Sequence, residues 1–329
     1  MGSVIATLVE LRLGADVVRA VPTWRPDSHP RSAALTARAI VVLAGLPRAT
    51  VVHVHMSEGG SFVREAAVLA SARLRGMTRI VTLHGYRFAE TCARWPRLVT
   101  GVLGMATAIT ALSEADRGLA QRLVPGVPVE LLPNPVALDR AAGAVSETAE
   151  VVLFAGEVGR RKGADVLHAA WRTVAANRPL ARCIVVGPST ALALAPLERF
   201  ERHGPVPRER VRELIREARV VALPSRGEVL PMILAEAMAA GRPFVATPVG
   251  GVTEMSQGGV LVAVGDAPAL AAALEELLVN PQHAQAIGRA GAARCEEWMA
   301  PEVVGARLRE LYSTSRRRGL YAGVRDLAS

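Results

Sequence analysis

The chain has 329 residues, half of them apolar, enough to bury two cores of ordinary domain size rather than one large one. Its formal charge of +9 is carried by scattered arginines, without the lysine-rich blocks or interleaved aromatics of a nucleic-acid surface, so the balance suits anionic sugar nucleotides or an anionic membrane face. Cys92, Cys183 and Cys295 are odd in number and widely spaced, which excludes a disulfide framework and a zinc knuckle and points to a reducing cytoplasm.

In chain order, Met1-Gly2-Ser3 runs directly into a helix-like stretch, Val4 to Leu13, without the cationic and apolar segments of a secretory signal. Strand-like runs are predicted at Asp16 to Val21, Thr50 to His55, Arg79 to Leu83, Ala108 to Ala111 and Val129 to Leu132, with amphipathic stretches at 31–46, 61–75 and 113–123 between them. Such alternation predicts an α/β chain with parallel sheets covered by helices. The longest uncharged run, Leu98 to Ser113, falls short of the roughly 20 residues that span a bilayer, so membrane contact is expected to be peripheral. Asp139 to Glu150 is small and polar and reads as a linker. The alternation restarts with Val151 to Ala155 and continues with strands near 182–187, 219–223, 243–247 and 260–263; Pro301 to Tyr312 is helical in pattern.

Two places carry chemistry. Glu228 and Glu236 lie seven residues apart across a loop-to-helix junction, where Pro231 fits the first helical position because its missing N–H had no partner there. An acid just before a helix start, where anions are attracted, needs another partner, and a sugar hydroxyl is one candidate. Glu236, a turn and a half further on, is placed to accept both hydroxyls of a ribose cis-diol. The second place is Lys162, the one lysine among thirty-nine basic residues. It follows the strand-like run 151–155 within Gly156-Glu157-Val158-Gly159-Arg160-Arg161-Lys162-Gly163, and a compact ammonium at a strand-to-helix turn fits point-charge contact with phosphate.

The remaining candidates divide. His84, in Leu83-His84-Gly85, sits at a strand's carboxyl end, where its position and the following glycine favour a functional role over a structural one. His53 and His55 share one strand face at a spacing that metals use, but no third ligand is evident and packing is the expected role. Arg64, opening a helix after Gly59-Gly60, is either an acceptor-anion contact or a solvated arginine, and Asn134 between Pro133 and Pro135 is read as a hinge-shaping residue.

These elements together resemble the family 4 glycosyltransferases, retaining enzymes of the GT-B fold that use nucleotide sugars. The resemblance covers nearly the whole chain and rests on the turn ending Lys162-Gly163, the Glu228/Glu236 pair, the continuation Glu236-Ala237-Met238-Ala239-Ala240-Gly241-Arg242-Pro243, Gly250-Gly251 with Glu254, and Leu132-Pro133-Asn134-Pro135-Val136. It implies two Rossmann-like domains facing a cleft: an acceptor-side domain over 1–140, a nucleotide-sugar domain over 149–300, and a last helix, within 301–329, that crosses back to the first. Family members open with an apolar strand and a glycine turn, and against that pattern this chain is expected to begin inside the turn, at Gly2, through a misassigned start or a true truncation that leaves the first sheet without its first strand.

The resemblance also implies roles. Glu228 would hold donor-sugar hydroxyls, Glu236 the ribose, Lys162 with Arg160 or Arg161 the diphosphate, and His84 the sugar and phosphate near the reacting carbon, with Gly2, Ser225, Val229 and Leu230 completing the donor site. No cofactor is implied, and the Asp-x-Asp pair by which the other glycosyltransferase architecture holds a divalent ion is absent from the sequence, so no metal is expected. Two departures stand out: Glu157 replaces a common arginine, and Val229 replaces a common glycine, which demands either ordinary backbone angles there or weaker donor binding.

The expected activity is transfer of a hexosyl group from a UDP- or GDP-sugar to a hydroxyl of a glycan or lipid-linked acceptor, in envelope or exopolysaccharide synthesis, in the cytoplasm or at the inner membrane face. Two alternatives stand beside it. A sugar-nucleotide epimerase of the same architecture would isomerise donor alone; a silent sugar-nucleotide-binding subunit would bind donor without turnover.

Overall fold

The computed structural model describes residues 2–10, 18–24, 29–190 and 192–325. The chain divides into two compact units, one formed by Met1–Pro135 with Pro301–Ser329 and the other by Val136–Ala300.

The first unit begins with helices α1 (Gly2–Glu10) and α2 (His29–Ala44), followed by β1 (Val51–Met56), α3 (Gly60–Leu74), β2 (Thr78–Leu83), α4 (Phe88–Arg94), α5 (Pro96–Leu103), β3 (Ala108–Ala111), α6 (Glu114–Leu123) and β4 (Val129–Leu131). Its sheet is parallel in the order β1-β2-β3-β4, with Val51 opposite Thr78, Ile80 opposite Ala108 and Ile109 opposite Val129. Alternation decides the faces. In β1, Val52, Val54 and Met56 enter a core with Leu69, Val81, Leu103 and Ile109, while His53 and His55 turn to the other face. Ser113 caps α6 by accepting from the Asp116 N–H at 3.1 Å.

The second unit contains β5 (Val151–Ala155), α7 (Ala164–Asn177), β6 (Arg182–Val186), β7 (Phe200–His203), α8 (Arg208–Glu217), β8 (Val220–Leu223), α9 (Met232–Ala239), β9 (Phe244–Ala246), β10 (Gly259–Leu261), α10 (Ala267–Val279) and α11 (Pro281–Met299). Its six strands are parallel in the order β10-β9-β8-β5-β6-β7. The chain builds outward from β5 to β7 and then restarts at β8 on the other side of β5, so a topological switch point lies between β5 and β8, where open α/β sheets bind ligands at the strands' carboxyl ends. β5, β8 and β9 are buried at every position. This is why they read as unbroken apolar runs.

The last helix, α12 (Pro301–Arg325), packs on the first unit: Val304 and Leu308 meet Leu132, and Leu311 meets Ile80 and Ala108. Among the described residues no helix is long and apolar enough to cross a membrane.

Several expectations are corrected. The strand expected over Asp16 to Val21 is irregular from Val18 onward, and its first two residues lie outside the described part. The stretch read as a linker, Asp139 to Glu150, is packed on the second unit. Its Asp139 N–H donates to the Ala239 carbonyl, the Val145 side chain is fully buried, and the Val145 N–H donates to Gln285 Oε1 at 2.6 Å. Arg242 holds the same stretch from beneath. Its guanidinium is 1 % exposed and donates to the carbonyls of Gly143, Ile215 and Arg216, so a buried charge is met by three acceptors. Strand β7 was missed because it is a short edge strand with only Phe200 buried. Pro231 is the N-cap of α9 rather than its first residue, with an extended ψ of 114°.

Candidate functional site

The site grows from two loops at the carboxyl ends of β5 and β8. The first runs from Gly156 to Gly163 and enters α7; Gly163 is its N-cap in the left-handed region, with φ 75°. A Cβ there would lie 1.9 Å from the Pro224 carbonyl oxygen, so only glycine lets this turn close against the second loop, 224–231. The Arg226 N–H then donates to the Arg161 carbonyl at 2.7 Å, and the Arg226 guanidinium pairs with both oxygens of Asp165 at 2.8 Å. On its far side the second loop is met by Gly250, with φ 56°, where a Cβ would come 2.1 Å from the Glu228 carbonyl oxygen. Glu228 is thus clamped from both sides.

Within the clamp, Glu228 Oε1 accepts from Lys162 Nζ at 2.6 Å and from Ser225 Oγ at 2.7 Å, with Arg161 Nη1 at 4.0 Å. The carboxylate is 7 % exposed, and its charge is met by a cation and a hydroxyl. The sequence separates Lys162 and Glu228 as phosphate and sugar contacts; the fold joins them directly. Arg161 also lies 3.8 Å from Glu157 and donates to the Gly227 carbonyl, whereas Arg160 is exposed and contributes its carbonyl to Arg226. The turn expected to be cationic is therefore largely neutralised by Glu157 and Glu228. Val229 has no positive φ, the one such non-glycine among the described residues being Arg199, so valine is unstrained there; its carbonyl accepts from the Gly251 N–H. Leu230 is buried.

Next to this cluster a cavity of about 360 Å³ opens over the ends of β5 and β6. Ala155, Gly156, Val186, Gly187 and Pro188 form its floor, and Pro205, Val206, Val211 and Ile233 its apolar walls. Glu236 and Arg208 are its charged groups, joined by an Arg208 Nη2 to Glu236 Oε1 bond of 2.8 Å. Gly156 connects cavity and cluster: the position of a Cβ on it is 3.8 Å from Lys162 Cε. The Pro205-Val206-Pro207-Arg208 wall escaped sequence reading. Its signal was a proline pair just ahead of a helix, which becomes meaningful only once β7 is recognised before it.

His84 and the other first-unit candidates form a separate group. His84 Nε2 is 2.8 Å from His55 Nδ1, so one ring donates and the other accepts, and both are neutral. His53 lies between the Tyr312 hydroxyl at 2.7 Å and Thr82 Oγ1 at 2.6 Å, with its ring stacked 4.6 Å from that of His55. Burial, with the neighbouring rings adding to it, holds His53 and His84 well below the usual imidazole range; burial also lowers His55 to about 4 and pushes the Tyr312 phenol up. Gly2 starts α1. Arg64 folds back over the first turn of α3, its Nη1 3.0 Å from the position of a Cβ on Gly60. Asn134 is buried beside Pro133 and Pro135 in the lining of a small cavity that His53 and His55 share. No three His, Cys, Asp or Glu side chains among the described residues are grouped to hold a metal ion.

The two parallel-sheet Rossmann-like units make this an α/β fold of the GT-B type. It is similar to HepE of Anabaena, solved in complex with UDP and glucose, at a TM-score of 0.70 and 16% identity over 95% of this chain and 96% of that one. Residues 149–280, which hold the clamp and the cavity, match the family described as Glycosyl transferases group 1. Among curated relatives, the D-inositol 3-phosphate glycosyltransferase of Segniliparus rotundus is 31% identical over 220 residues, 62% of this chain and 49% of its own. That of Frankia alni is 27% identical over 310 residues, 84% of this chain and 73% of its own. The chain spans about half the length of the first of these.

Proposed function

We propose that the protein is a retaining glycosyltransferase of family 4 that moves a hexosyl group from a nucleoside-diphosphate sugar to an acceptor hydroxyl. The observation that carries this reading is the continuity, through Gly156, of an apolar cavity bearing Glu236 with a clamped Lys162–Glu228 pair. A nucleoside fits the first and a sugar diphosphate the second. The UDP named with HepE and the matched family support the same donor class.

In this reading the base lies against Pro188, Val206 and Val211, and the ribose hydroxyls donate to Glu236. The diphosphate draws Lys162 and Arg161 toward it, which frees Glu228 Oε1 to accept from sugar hydroxyls. The bond from the anomeric carbon to the leaving phosphate oxygen breaks, the acceptor oxygen bonds to the same face of that carbon, and its proton passes to the departing phosphate. Fixed cations and the α9 N-terminus stabilise the growing negative charge, so no metal is required. The acceptor is a glycan or lipid-linked hydroxyl of envelope synthesis, or a phosphorylated cyclitol of the kind named for the relatives.

The test is calorimetric titration with UDP and GDP, followed by transfer assays with their sugars to a panel of acceptors that includes D-inositol 3-phosphate, with and without EDTA, and NMR of the product anomer. Expected are micromolar nucleotide binding, EDTA-insensitive transfer and a retained configuration. Nucleotide binding unchanged in both Lys162→Ala and Glu236→Gln would overturn the assignment of the site. An isomerised donor without transfer would mark an epimerase instead.

A further inference from the structure

We infer that Arg208 is a positioning residue that sets the protein's discrimination between ribose and deoxyribose nucleotides. The inference rests on the nucleotide reading of the cavity.

Arg208 is the first residue of α8, directly after the N-cap Pro207. A cation there faces the partial positive charge of the helix start, an unfavourable place that an acid would normally occupy. It is offset by a partner on a different helix: Arg208 Nη2 donates to Glu236 Oε1 at 2.8 Å, with the arginine side chain 41% and the glutamate side chain 15% exposed. The nearby Arg210 behaves differently, pairing along its own helix with Glu213 and Glu217. Arg208 alone of the two lines the cavity.

The consequence lies in the geometry of the carboxylate. An ionised Glu236 offers two oxygens and about four acceptor sites. Arg208 takes one on Oε1, which holds the carboxylate in one rotamer and leaves Oε2 available to a ligand in the cavity that both residues line. A cis-diol donating from both hydroxyls uses that fixed acceptor fully; a nucleotide without its 2′-hydroxyl uses half of it. Without Arg208 the carboxylate is free to rotate toward water. The ribonucleotide then loses the advantage of a preorganised acceptor, while the deoxynucleotide, which depended on it less, loses little. Because the ribose lies away from the bond being broken, the effect falls on donor binding and is read there.

The experiment measures Kd by titration for UDP and 2′-deoxy-UDP, and for GDP and 2′-deoxy-GDP, on the parent chain and on Arg208→Ala, Arg208→Lys and Arg210→Ala. Arg208→Ala is expected to weaken ribonucleotide binding roughly tenfold and deoxynucleotide binding less than about twofold, so that the discrimination ratio collapses. Arg208→Lys restores part of it and Arg210→Ala leaves it intact. In a Glu236→Gln background Arg208→Ala should change ribonucleotide affinity less than about twofold, since the two act as one unit. Unaltered thermal melting of Arg208→Ala separates this from damage to α8. A ribose-to-deoxyribose ratio that survives Arg208→Ala refutes the role of Arg208 alone. A parent chain that binds none of the four nucleotides refutes the nucleotide reading beneath it.

Discussion

Lowering the pH should loosen the first unit where His53, His55 and His84 meet. The direction follows from their depressed values. An imidazole that titrates near 6.5 when unfolded but lower when folded binds more protons in the unfolded state across the interval between, so stability falls as pH drops through it. Above pH 6.5 the three groups are neutral in both states and contribute no slope. For His55 the fall from 6.5 to about 4 corresponds to roughly 3 kcal/mol when the interval is fully crossed. His53 and His84 act in the same direction. Geometry gives the same answer independently: with His55 Nδ1 and His84 Nε2 2.8 Å apart, there is room for one proton between them. Charging both rings would point two N–H groups at each other. Native-state hydrogen exchange at pH 7, 6, 5 and 4.5, read on β1, β2 and α12, should show protection falling by at least about 2.5 kcal/mol over this range, the share of His55 alone, beyond the intrinsic pH dependence of exchange. In His55→Asn the loss should shrink by about that share. Parallel profiles for parent and variant would refute the argument, because the titrating group would then lie elsewhere.

Three further outcomes are expected. Lys162→Ala should cost about 3 kcal/mol, since it leaves a buried charge without its cation; adding Glu228→Gln should recover at least about 1 kcal/mol of this, as read by urea unfolding in a double-mutant cycle. Gly250→Ala should cost about 2 kcal/mol and weaken nucleotide binding at least tenfold, because a Cβ there meets the Glu228 carbonyl in a backbone region disfavoured for alanine; unchanged titration and melting curves would contradict this. Arg242→Leu should cost about 3 kcal/mol by orphaning the carbonyls of Gly143, Ile215 and Arg216, and should expose the 139–150 stretch to proteolysis, which gel analysis of limited digests would show.

Periodicity made most of this architecture legible in the amino-acid sequence. Strands buried on both faces, such as Val151–Ala155 and Val220–Leu223, can only be written as apolar runs, and helix α6 declares itself through Ser113 and the acids of its first turn. Edge strand β7 and the 139–150 stretch were not legible, because partners elsewhere in the chain, Cys183 to Val186 for one and Arg242 and Gln285 for the other, decide their state. The same division holds for the site. Lys162, Glu228 and Glu236 stand out by residue type and position, since a solitary lysine after a strand and two acids about a helix start are chemically unusual whatever surrounds them. That Lys162 and Glu228 touch, that Val229 needs no special backbone, and that Arg208 reaches Glu236 were settled only in three dimensions. The first two depend on loops brought together by glycines whose missing side chains matter only against a neighbour the sequence does not name, the third on the packing of α8 beside α9.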